Sequence, residues 1–352
     1  MNSFEYVRPA TIAEAVAAGA APGAAFLAGG TNLLDLLKGD LMRPTRLVDV
    51  TRLAELGRIE RLPGGGVRIG ALVRNADLAH DQPFASDFPA VAEALLSGAS
   101  AQVRNAATVG GNLLQRTRCV WFYDVASACN RRAPGTGCDA RGGEGRGDAV
   151  LGWSEACIAT HPSDFCVPLV ALDAVVEIAG PAGRREVPLD LFHRLPGDAP
   201  ERDSVLAPGE LVVAVRLPPE AAAFAAHARY LKLRERTSFA FAVVSAAAAL
   251  RMEAGGIVAA RIALGGVAAK PWRARAAEDV LAGARPDGTV FRRAAEAALA
   301  DARPSGPDAT RIELARRIVA RALALAAAGT PARVPALPAS PFAPIPGAAA
   351  HV

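Results

Sequence analysis

Phe26-Leu-Ala-Gly-Gly-Thr-Asn-Leu33 is the stretch on which the reading of the whole chain turns. The apolar residues 24–28 predict a short strand, Gly29 and Gly30 break it, and the apolar spacing from Thr31 to Leu37 before Gly39 predicts a short helix. Strand, glycine pair and helix start is the order found in phosphate sites. Glycines let the backbone approach the anion, successive N–H groups face its oxygens, and the helix N-terminus favours negative charge. Thr31 and Asn32 add side-chain donors. The same order also makes an ordinary tight turn, and the spacing is not G-x-G-x-x-G, so it does not indicate a Rossmann fold.

A second copy of this pattern changes the weight of the first. Val103-Arg-Asn-Ala-Ala-Thr-Val-Gly-Gly-Asn112 again runs from apolar residues into a glycine pair, here Gly110-Gly111 between Thr108 and Asn112. Two such turns would grip a dinucleotide pyrophosphate from both sides. Around them, Thr11-Ile-Ala-Glu14 is a capping box that starts a first helix. Residues 59–62 and 67–69 flank Gly64-Gly65-Gly66 as a hairpin, and 174–178 and 184–187 flank Gly180–Gly183 as another. Strand-like residues 210–217 lead to Pro218-Pro219, a domain boundary. Beyond it, 227–234, 239–250 and 257–264 read as sheet and 273–282, 291–302 and 309–327 as helix. Residues 331–352 carry six prolines and too little bulk to bury, and are expected to form a flexible Pro/Ala-rich tail.

Composition excludes several classes. At 352 residues the chain exceeds what a single core usually fills, so more than one domain is expected. Its net charge of +4 comes from arginines interleaved with acids, and the one basic stretch, 116–146, lacks the aromatic platforms of a single-strand binder; nucleic acid is not an expected partner. The longest apolar run, 239–250, is too short to span a bilayer. Glu5 and Pro9 interrupt any N-terminal signal core, so a soluble protein without an export signal of its own is expected. No acid–base or nucleophilic triad stands out, and no catalytic residue is assigned.

Phe26–Asn32, Ile69-Gly-Ala71, Arg104-Asn105, Thr108–Asn112 and Ser163-Asp164 together resemble the FAD-binding subunit of the xanthine dehydrogenase and carbon monoxide dehydrogenase family. The resemblance runs to about residue 328. It implies a mixed α/β fold: a two-part FAD-binding domain of the vanillyl-alcohol-oxidase/PCMH type over 1–220, then a smaller α+β domain over 226–328. It also implies FAD as cofactor. The site residues carried over are Phe26, Leu27, Ala28, Gly29, Gly30, Thr31, Asn32 and Leu33 of the first turn, Thr108, Gly110, Gly111 and Asn112 of the second, and Asp164. Tyr230-Leu-Lys232 is similar to the strand entering the family's C-terminal domain, which makes Lys232 a further cofactor contact; the reading without a ligand is a solvated strand lysine. In this family a molybdenum-cofactor large subunit oxidises substrate, and a small subunit with [2Fe–2S] clusters feeds electrons to the FAD, which an external acceptor then collects.

The chain departs from the family between the second turn and Ser163. Fifty residues separate Asn112 from Ser163, where the family needs a much shorter connection. This insert, about 116–158, carries Cys119-x9-Cys129-x8-Cys138-x18-Cys157. Four thiols on one Gly/Arg-rich loop need something to order them, and zinc, disulfides and an iron–sulfur cluster all remain open from the residues. The short C-x2–4-C pairs of structural zinc are absent, and the spacing is not a ferredoxin run. The resemblance is closest to the flavin subunit of bacterial three-subunit aldehyde oxidoreductases, which implies a [4Fe–4S] cluster on these four cysteines and periplasmic export as a partner's passenger, with a cytoplasmic location as the alternative. Cys166 is expected in the core, Arg116, Arg118, Arg131 and Arg132 flank the thiols, and His161 is expected to be a loop residue.

Overall fold

A computed structural model describes residues 2–143, 147–306 and 309–332. The expected tail, 331–352, lies almost wholly outside them. Twelve strands form three sheets among the described residues.

The first sheet is parallel, with β1 (Glu5–Val7), β2 (Ala24–Leu27) and β3 (Arg46–Asp49) in the order β1-β3-β2. Helix α1 (Ile12–Gly19) makes the crossover. Its cap works as the sequence predicts: Thr11 Oγ1 accepts from the Glu14 N–H (3.2 Å), and the Glu14 carboxylate reaches back to the Ala10 N–H (2.8 Å). Helix α2 (Leu33–Lys38) follows the first glycine pair and starts two residues later than the sequence pattern predicts, leaving Thr31 and Asn32 free of the helix.

The second sheet is antiparallel, in the order β4-β5-β8-β6-β7, from β4 (Ile59–Arg61), β5 (Val67–Gly70), β6 (Val175–Gly180), β7 (Gly183–Pro188) and β8 (Leu211–Leu217). Between β5 and β6 the chain inserts α3 (Asn75–His80), α4 (Gln82–Asp87), α5 (Pro89–Ser97), α6 (Ala101–Ala106) and α7 (Val109–Leu113), then the cysteine loop with α8 (Val120–Tyr123), then α9 (Cys166–Ala171). The second glycine pair is therefore not a turn. It lies inside α7, which Thr108 caps by accepting the Gly111 N–H. Cys166 opens α9 fully buried, as expected.

After α10 (Leu189–Phe192), the third sheet has the order β12-β11-β10-β9, from β9 (Ala228–Leu233), β10 (Val244–Glu253), β11 (Gly256–Gly265) and β12 (Trp272–Arg273). β10 is buried on both faces, which explains its near-continuous alanine run. Val244, Ala246, Ala248 and Leu250 pack on α11 (Arg275–Leu281), α12 (Gly288–Ala298) and α13 (Thr310–Ala327), whereas Ala247 and Ala249 face the core that fills the second sheet. Glu93 of α5 ties the two regions: it accepts from Arg229 (2.9 Å) and from the Tyr230 N–H (2.7 Å).

Candidate FAD site and cysteine loop

Both glycine pairs exist to bring backbone close. A Cβ on Gly29 would lie 2.0 Å from the Ala106 carbonyl oxygen, and Gly30 has φ +73°. A Cβ on Gly110 would lie 2.9 Å from that of Ala71. The first turn is thus pressed against the end of α6, and α7 against the start of the loop after β5. Between them opens a cavity of about 670 Å³, a volume within the range of cofactor sites.

Six of the residues expected at the cofactor line this cavity: Thr31, Asn32, Gly111, Asn112, Asp164 and Lys232. Phe26, Leu27, Ala28, Gly29, Gly30, Leu33, Thr108 and Gly110 are not among its lining residues. Asn32 Nδ2 is buried without a partner, while Asn32 Oδ1 accepts the Arg116 N–H at 3.0 Å. Asn112 Oδ1 accepts from Gln115 Nε2 (2.6 Å) and Ser163 Oγ (2.7 Å), which joins the two flanks of the cysteine loop. The wall also includes Asn75, whose Oδ1 is buried and unpartnered, and the exposed rings of Phe239 and Phe241. Sequence reading assigned none of these three, because they come from remote segments with no local motif. Asn32 Nδ2, a buried donor without a partner on this wall, fits an oxygen-rich ligand such as a pyrophosphate.

Asp164 is held from both sides. Its Oδ1 accepts from Tyr230 OH (2.5 Å) and its Oδ2 from Lys232 Nζ (2.7 Å); Lys232 also donates to the Ser97 carbonyl (3.1 Å). The Lys232 side chain is 2% exposed, so it is not a solvated strand lysine. Burial, then the neighbouring Asp164 charge, pushes the Tyr230 phenol well above its ordinary range, so it remains a donor. Lys232→Met should leave the buried Asp164 carboxylate with Tyr230 as its one side-chain partner and cost about 3 kcal/mol. Thermal denaturation and flavin content check this; unchanged values in both would contradict the pairing.

The cysteine loop folds back on itself. Cys129 and Cys138 form an antiparallel bridge, and Cys129 packs with Leu36, Leu41 and Phe122. All four thiols are free, with no disulfide among the described residues. Burial raises Cys119 to about 11; the N–H groups of Phe122 and Trp121 draw it back, and the charges of Cys129 and Cys157 raise it again. Cys138 is raised by burial and by Cys157, and the N–H groups of Ile158, Ala140 and Arg141 oppose this. Cys157 Sγ accepts from the Ala159 N–H at 3.5 Å. The charges of Cys129 and Cys157 reach Cys119 and that of Cys157 reaches Cys138, so the four free thiols share one neighbourhood, with backbone N–H groups directed at Cys119, Cys138 and Cys157.

Beside this loop His161 stacks on His193, ring centroids 4.4 Å apart, at a cleft of about 30 Å³ shared with Arg131 and Asp203. His161 is absent from the lining of the large cavity. Burial holds His193 down at about 4 and His161 well below the usual histidine range, so both rings are neutral.

Comparison with known families places this geometry. Residues 2–220 match the FAD binding domain in molybdopterin dehydrogenase, and residues 229–326 the CO dehydrogenase flavoprotein C-terminal domain. The chain belongs to the FAD-binding subunits of the molybdenum hydroxylase family. It is 51% identical over 284 residues to the aldehyde oxidoreductase FAD-binding subunit of Escherichia coli (strain K12), covering 80% of this chain and 87% of that protein. It is 30% identical over 290 residues to the carbon monoxide dehydrogenase medium chain of Afipia carboxidovorans, covering 81% and 82%. Among solved structures, a carbon monoxide dehydrogenase from Hydrogenophaga pseudoflava superposes with a TM-score of 0.73 at 28% identity, covering 93% of this chain and 98% of that one. The chain is accordingly an FAD-dependent oxidoreductase subunit, with the mixed α/β fold that the family resemblance implies. No helix among the described residues is long and apolar enough to cross a membrane.

Proposed function

We propose that the chain is the FAD- and [4Fe–4S]-binding electron-transfer subunit of a molybdenum-dependent aldehyde oxidoreductase, working between a [2Fe–2S] small subunit and an external acceptor while a large subunit oxidises the aldehyde. The 51% identity to an aldehyde oxidoreductase FAD-binding subunit across four-fifths of the chain supports the flavin and aldehyde part of this reading, and the insert with its four free cysteines supports the cluster part. Residues 1–220 and 226–328 act as its FAD-binding and C-terminal domains, and 116–158 as a cluster-binding insert. Thr31, Asn32, Gly111, Asn112, Asp164 and Lys232 would hold the FAD, with the remaining glycine-turn residues shaping the wall behind them. Cys119, Cys129, Cys138 and Cys157 would hold the cluster. Bound FAD supplies the electron-carrying chemistry, and the protein supplies position and electrostatics.

The chain's own contribution is positional. The Arg116 N–H bond to Asn32 fastens the start of the insert to the first glycine turn, and the Ser163 bond to Asn112 fastens its end to α7. Both ends of the cysteine insert are thereby attached to the wall of the large cavity. Export to the periplasm as a partner's passenger goes with the same reading. The purified chain, loaded with FAD, should not oxidise aldehydes with a dye acceptor, and should gain that activity only when the large and small subunits are added. Turnover by the chain alone would overturn the subunit reading.

A further inference from the structure

Four arginines flank the thiols in sequence, and the fold gives them different work. Arg132 donates to the carbonyls of Trp121 (2.9 Å), Phe122 (2.8 Å) and Ser127, closing the C-terminal end of α8. Arg118 donates to Tyr123 OH (2.7 Å) and lies over the Phe241 ring, on the wall of the large cavity. Arg116 pairs with Asp203 (2.7 Å) and covers the Phe122 ring. Arg131 alone of the four turns its guanidinium to a cysteine: Nη2 donates to Cys157 Sγ at 3.6 Å, and Nη1 to Asp203 Oδ1.

Arg131 is 6% exposed, whereas the Asp203 side chain is 32% exposed. The two charges of that pair are therefore not equivalent at the sulfur. Water screens the carboxylate, and the guanidinium lies sealed against the thiol, so of the two charges the positive one is felt more strongly at Cys157. A guanidinium is not deprotonated in proteins, so Arg131 stays charged.

We propose that Arg131 sets the reduction potential of the four-cysteine centre through Cys157, with Asp203 as the positioning residue that aims it. The inference rests on the cluster reading above. Adding one electron to a centre already made anionic by four thiolates is opposed in a dry pocket. A fixed positive charge and an N–H···S bond stabilise the more negative state and raise the potential. Lysine cannot replace this fully, because its point charge lacks the fork that serves Cys157 and Asp203 together.

The test is an anaerobic redox titration of the FAD-loaded full chain, followed by visible absorbance and electron paramagnetic resonance, with iron assayed on the same samples. Arg131→Gln should keep its iron and shift the cluster potential lower, leaving the flavin potential unmoved, and Arg131→Lys should fall between it and the unmodified chain. Should Arg131→Gln lose its iron, the lysine variant carries the test, since it must still titrate below the unmodified chain. Iron-loaded variants with the unmodified potential would overturn the proposal alone. An unmodified chain without iron would overturn the cluster reading and this proposal with it.

Discussion

Gly29→Ala should yield a folded chain that purifies nearly free of flavin. The Cβ of that alanine would stand 2.0 Å from the Ala106 carbonyl oxygen, and the obstacle is backbone, not the tip of a flexible side chain. Either the first glycine turn or the end of α6 must move by more than an ångström. Overpacking of this kind costs about 1–3 kcal/mol. The part of the structure that gives way is the cavity wall itself, since Thr31 and Asn32 follow directly and Ala107 lines the opposite side. A loss of about 3 kcal/mol in binding is roughly a hundredfold in affinity. Flavin absorbance against protein, beside circular dichroism for the fold, reads the outcome. Gly57→Ala is the control, because a Cβ there meets nothing within 4 Å and its φ is not positive. A fully flavinated Gly29→Ala chain would mean that the first turn does not shape the FAD site.

Cys129→Ser should remove the iron and leave the FAD. Cys129 is buried between Leu36, Leu41 and Phe122, and its thiol is one of those whose charge reaches Cys119. Serine removes a thiolate ligand at a stability cost of about 1 kcal/mol, which the rest of the fold absorbs. No cysteine lines the large cavity, so flavin content should hold. Arg118 and Gly147 of the insert do line it, and Arg116 bonds to Asn32. A modest weakening of flavin binding is therefore compatible with the account. Concerted loss of both groups would mean that the cysteine loop builds the FAD pocket instead of adjoining it.

Local patterns carried much of the fold. The capping box at Thr11, both hairpins and the first glycine pair are short-range features that a few adjacent residues dictate, and they appear where the sequence predicts them. The second glycine pair was legible as a close approach but not as part of a helix. Its conformation depends on Thr108 capping Gly111 and on Ala71 arriving from another segment. β10 begins at Val244, not at Phe239, because residues 235–243 turn over the cavity mouth and Phe239 takes φ +49°. Apolar composition alone cannot distinguish a buried strand from an aromatic loop over a ligand. Of the cavity wall, the two glycine motifs pointed to Thr31, Asn32, Gly111 and Asn112. Asp164 and Lys232, 68 residues apart, were each named only through family resemblance, and their pairing with one another, like the choice of Arg131 among four similar arginines, needed three dimensions.

On the proposed function, one chain holds a flavin and an iron–sulfur cluster on adjoining loops. Flavin, iron, zinc and acid-labile sulfide measured on one anaerobically purified sample, with Cys129→Ser alongside, test it most directly. The account predicts about four irons and four sulfides per FAD in the unmodified chain, and iron falling away in the variant while FAD remains. FAD accompanied by zinc in place of iron, or by no metal at all, would contradict it.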